Sequence, residues 1–190
     1  MEMLGLYDQA IDRVGGIVAG VRDDQWDDPT PCTEWNVRVL ANHIVGGLYM
    51  FGTAASGTPV TGDGDPGDLL GDDAGAAYAQ AGATARAGFR SDGIEGRTLT
   101  LPIGDLPAEA ALAIALSDLV VHGWDLAKAT GQPTEIPSPE VDVVGGIMQQ
   151  SMGPHLRQPD GQFPVFGPEV PVDEDASPTD RLVAFLGRRP

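Results

Sequence analysis

Apolar positions Leu4, Ala10, Ile11, Val14, Val18 and Val21 recur at the spacing of one helical face, and the pattern breaks in the acidic, proline-bearing stretch "DDQWDDPTPCTEW". A first helix and its exit loop are expected there. Asn36 is a natural N-cap for a second helix with Val37, Leu40, Ala41, Ile44, Val45 and Leu48 as its buried stripe, ended by the glycine-rich "ASGTPVTGDGDPGD". An alanine-rich third helix is expected from Asp68 to Phe89, with acidic residues in its first turns, where they suit the helix dipole. The alternation in "RTLTLPIGDLP" predicts a short extended piece or hairpin before a fourth helix, Pro107 to Ala129, stopped by Gly131 and Pro133.

Further on, Ser138 reads as an N-cap and Pro139 as the first helical position of a fifth helix, and a proline-rich arm spans Gly153 to Ala176. Ser177, Pro178, Asp180 and Gly187 bracket a short last helix. Long helices first and shorter pieces after predict an all-α fold in one domain. Its bundle reaches about residue 130, and its C-terminal helix, arm and last helix span about 137 to 190.

Charge narrows the partners. Twenty-eight acidic residues face 11 basic ones, giving a net charge of −17, and every basic residue but Lys128 is arginine. No face is expected to reach the cationic density that nucleic acid or an anionic membrane demands, so neither is an expected partner. The start "MEMLGLYDQAIDRVGG" has no basic leader followed by a long apolar run, and no stretch of about 18 uninterrupted apolar residues occurs, so a cytoplasmic protein is expected, as monomer or homodimer. Cys32 is the only cysteine. A metal site is therefore expected to draw on His, Asp or Glu, with Cys32 a small buried residue lacking a basic neighbour to activate it.

Chemistry concentrates in "LSDLVVHGWDLAKATG". At 100° per residue, with Asp118 as zero, His122 falls at about 40° and Asp125 at about −20°, on one strip beside the leucine-rich face. The i, i+4 spacing brings Asp118 and His122 close enough to share an ion. On the second helix His43 lies at the edge of the apolar face, with Gly46 and Gly47 leaving room one turn on. Two histidines and a carboxylate suit zinc, and equally nickel, iron or manganese, but spacing alone leaves an ordinary ion pair or hydrogen bond as the alternative. Asp125 either orients a ligand or pairs with a surface arginine. Met50 and Trp124 are candidates for lining a pocket, with Trp35 and Trp124 also suited to the core, and His155 reads as an exposed loop histidine.

The three segments "DDPTPCTEWNVRVLANHIVGG", "LSDLVVHGWDLAKATG" and "FGPEVPVDEDASPTDRLVAFLGR" together resemble the mycothiol-dependent maleylpyruvate isomerase N-terminal family of short metal-binding proteins, within the wider DinB-like group of four-helix bundles. The resemblance implies a divalent ion, usually zinc, at His43, Asp118 and His122, with aspartate where the isomerase has glutamate. It further implies a low-molecular-weight thiol such as mycothiol as co-substrate, held as thiolate to attack a small electrophile in S-transfer or isomerisation. Two other readings stay open: a metalloenzyme that activates water without a thiol, and a non-catalytic module holding a metal or small ligand.

Overall fold

The helical periodicities become α1 (Glu2–Ala19), α2 (Val37–Ala55), α3 (Ala74–Gly88) and α4 (Ala108–Thr130) in the computed structural model, which describes residues 2–62, 67–153, 157 and 166–190. Between α3 and α4 lies an antiparallel hairpin, β1 (Thr98–Leu101) and β2 (Gly104–Pro107). Leu101 pairs with Gly104, so the connection is two residues, Pro102 and Ile103. Helices α5 (Ser138–Ser151) and α6 (Pro178–Phe185) follow. The protein is thus mostly helical with one small sheet, and it divides into two compact units, Met1–Pro133 and Thr134–Pro190.

In the first unit α1 and α2 each pack against both α3 and α4. Val14, Leu40, Val45, Leu116 and Val120 are fully enclosed between them. Glycine sets the closest crossing: a Cβ on Gly88 would stand 2.1 Å from the Gly52 carbonyl oxygen, so α2 and α3 meet backbone to backbone. Helix α4 is long and apolar enough to cross a membrane by length and composition, with a mean hydropathy of 1.4, yet 67% of that window is buried inside the fold. It is the core helix of this unit.

Asn36 caps α2 as its sequence position predicts, its side chain accepting the Val39 N–H at 2.9 Å. Helix α3 starts six residues later than expected, and its cap is Asp73, which accepts the Ala76 N–H at 2.9 Å. Tertiary hydrogen bonds hold the preceding residues out of the helix. Arg38 of α2 binds the Asp68 carboxylate at 2.6 Å and the Gly71 carbonyl at 3.1 Å. Asn42 donates to the Gly67 carbonyl at 2.8 Å and accepts the Leu69 N–H at 2.7 Å. Residues 67–71 thereby form a strap along α2, with Leu70 buried beneath it.

In the second unit α5 packs on α6, and Ile136, Val144, Val183 and Leu186 are enclosed. Ser138 does not cap α5. The helix begins one residue earlier because the Pro137 carbonyl accepts from both Glu140 and Val141, which makes Ser138 a helical residue and Pro137 the flanking one. Helix α6 has the expected start, Ser177 accepting the Asp180 N–H at 3.1 Å.

Candidate metal centre

Helices α2 and α4 bring His43, Asp118 and His122 together, with one ligand-capable atom from each inside a 4.8 Å cluster. Asp118 is the hub: its Oδ1 lies 3.4 Å from Nε2 of His43 and 3.5 Å from Nε2 of His122. The two imidazoles meet edge to face, their centroids 4.9 Å apart. Helical phase places Asp118 and His122 on one side of α4, and the α2–α4 packing turns His43 toward them. Gly47 faces the cluster, where a Cβ would lie in van der Waals contact with Asp118 Oδ2 at 3.4 Å. Gly46 faces the strap instead, where a Cβ would touch Leu69 at 3.5 Å.

Exposure is graded across the cluster. The His43 side chain is 38% exposed, Asp118 29%, His122 14% and Asp125 not at all. Burial disfavours the charged form of His43, but the hydrogen bond and the negative charge of Asp118 outweigh it, and the His43 pKa is raised above its ordinary value. A buried carboxylate is costly unless it is paired. Asp125, wholly buried and so not at the surface, holds Oδ2 3.1 Å from Nδ1 of His122.

Two neighbours escaped the sequence reading. Cys32 is half-buried, its Sγ 3.3 Å from Asp125 Oδ2 and 3.7 Å from His122 Nδ1, so it does have an imidazole beside it. Trp35 lies against both histidines, its ring 4.7 Å from that of His43 and 5.8 Å from that of His122. Both belong to the α1–α2 loop, which is tied down locally. Thr30 Oγ1 reaches the Trp35 carbonyl at 2.8 Å and accepts the Cys32 N–H at 3.1 Å, while Val37 and Arg38 donate back to Asp28 and Trp26. No periodic pattern marks such a loop. Its only signal was position, directly before the helix that carries His43.

Of the other candidates, Met50 is half-buried, two turns on from His43 along α2. Trp124 is 1% exposed and points about 120° away from Asp118 on α4, so it is a core residue. His155 lies outside the described residues.

The donor set fits a divalent ion. Nitrogen and oxygen ligands about 2.0 to 2.1 Å from a tetrahedral zinc stand about 3.3 to 3.4 Å apart, close to both separations around Asp118 Oδ1. Residues 7–127, which include all three of these side chains, match the family described as mycothiol maleylpyruvate isomerase N-terminal domain. Two uncharacterised proteins of Mycobacterium tuberculosis, from different strains, are each 35% identical over 189 residues, spanning 99% of this chain and 98% of their own. No solved structure matches the chain. The match runs through both helices that carry the cluster, and the chain belongs to the mycothiol maleylpyruvate isomerase N-terminal domain family.

Proposed function

We propose that the protein is a cytoplasmic enzyme with a DinB-like four-helix bundle, which binds a divalent ion, zinc by preference, through His43, Asp118 and His122. Its reaction is S-transfer or isomerisation of a small electrophile by a mycothiol-type thiol. The observation that carries the reading is the convergence of two Nε2 atoms on one Asp118 oxygen, at separations of 3.4 and 3.5 Å. Membership of a mycothiol-named family supports the thiol.

A divalent ion in this position would favour the deprotonated form of a thiol bound to it, which supplies a nucleophile at neutral pH. The side chains divide the remaining work. Asp125 Oδ2 stands 3.1 Å from Nδ1 of His122, and in the Nδ1–H tautomer, which that carboxylate favours, the Nε2 lone pair faces Asp118 and His43. Trp35 covers one side of both imidazoles. His43, the most exposed of the three, marks the side from which a thiol and its electrophile reach the cluster.

Metal analysis of protein purified without chelators tests the site. A divalent ion is expected in the wild type and lost in a His43→Ala, His122→Ala double variant; occupancy surviving in that variant overturns the assignment. The thiol is tested separately, by adding millimolar mycothiol to cobalt-substituted protein. A change in the visible cobalt bands is expected, and an unchanged spectrum removes the thiol from the proposal.

A further inference from the structure

His122 belongs to two clusters at once. Its Nε2 faces Asp118, while its Nδ1 faces a second group, Cys32 and Asp125, whose ligand-capable atoms also lie within 4.8 Å of one another. The second group forms a closed triangle: Sγ to Nδ1 3.7 Å, Sγ to Oδ2 3.3 Å and Nδ1 to Oδ2 3.1 Å. One face of a tetrahedral site with sulfur at about 2.3 Å and nitrogen and oxygen at about 2.0 to 2.1 Å has edges of about 3.6, 3.6 and 3.4 Å. The observed triangle meets that face to within about 0.3 Å on every edge, so movements of the size of a small rotamer adjustment close it around an ion.

We infer that Cys32, His122 Nδ1 and Asp125 form a second, sulfur-containing site for a thiophilic divalent cation of the zinc, cobalt and cadmium type. Donor chemistry selects the class: a thiolate favours soft and borderline ions over magnesium or calcium. Charge agrees, because thiolate and carboxylate together neutralise a divalent ion, which suits a site built on a carboxylate with no exposure. Without an ion, the thiol proton is directed at Asp125 Oδ2; binding releases that proton into solvent and leaves the single proton of the neutral imidazole on Nε2. The sequence had pointed away from cysteine because Cys32 has no second cysteine to pair with. Its partners lie 90 and 93 residues along the chain.

This site does not rest on the one proposed above, although both draw on His122 through opposite nitrogens. An ion on Nδ1 leaves the remaining ring proton on Nε2, directed at Asp118, so single ions at the two positions exclude one another.

Cobalt separates the two sites, since a thiolate ligand adds a sulfur-to-cobalt charge-transfer band in the near ultraviolet that histidine and carboxylate ligands do not give. In thiol-free buffer the band is expected in the wild-type protein, stronger per bound cobalt in His43→Ala, and lost in Cys32→Ser. Thermal melting of the Cys32→Ser variant establishes that it is folded. A measurement without any variant complements this: cadmium or cobalt is expected to protect Cys32 of the wild-type protein from alkylation by iodoacetamide. Bound cobalt with no such band in either wild type or His43→Ala, a band persisting in Cys32→Ser, or unaltered alkylation would overturn the site and leave a hydrogen-bonded cluster only.

Discussion

Asp125 is wholly buried and holds its Oδ2 3.1 Å from Nδ1 of His122, one turn back on the same helix. A carboxylate in that place favours the ring proton on Nδ1, with Nε2 turned toward Asp118. Asp125→Asn keeps the size and removes the charge. Metal affinity of the His43 cluster is expected to fall about 10- to 100-fold in a competition titration against a chelator, the range typical for groups that orient a metal-bound histidine. An unchanged affinity would show that His122 does not depend on this carboxylate.

The raised pKa of His43 gives the metal-free protein a pH dependence with a definite sign. A histidine with a higher pKa in the folded than in the unfolded chain contributes stability at pH values below its ordinary 6.5, and that contribution disappears as pH rises through the elevated value. Chelator-treated protein is therefore expected to lose a small part of its thermal stability across that window, and Asp118→Asn to flatten the change. Metal binding runs the other way, weakening on acidification as protons compete for the same nitrogen.

Trp35 reports on the cluster because its indole lies against both imidazoles. Its fluorescence is expected to change on metal addition, and Trp35→Phe to abolish the change although Trp26 and Trp124 remain. A metal-dependent signal that survives in Trp35→Phe would place the ion elsewhere.

Gly88→Ala tests the packing of the scaffold. The added Cβ meets the Gly52 carbonyl oxygen at 2.1 Å and no flexible side chain is there to yield, so α2 and α3 have to separate. A destabilisation of about 2 to 3 kcal/mol is expected. In a chain of this size that lowers the Tm by about 5 to 10 °C.

The helices could be read from the sequence because each is fixed by a local repeat, and so could the pairing of Asp118 with His122; the addition of His43 as a third ligand came from the family resemblance, since spacing alone left an ordinary ion pair open. Val37, Leu40, Ile44 and Leu48 mark the buried face of α2, and the i, i+4 spacing of Asp118 and His122 survives any detail of packing. The start of α3 could not be read that way, because Arg38 and Asn42 capture residues 67–71 through long-range hydrogen bonds that override the helical preference of the segment. Cys32 and Trp35 were illegible for a related reason. A loop turned by Thr30 sets where they point, and their neighbour His122 is about 90 residues distant in the chain.

The strap over α2 has a consequence for how such a protein diversifies. The side chains that would hold an ion stand on two helices, whereas Leu69, which borders Gly46 one turn from His43, comes from a loop fastened to α2 by Arg38 and Asn42. Loops change length and composition far more readily than the elements they join. The chain thus sets the candidate ligands on helices and their rim on a loop, so that a change of sequence at residues 67–71 would alter what borders the cluster without moving the side chains that form it.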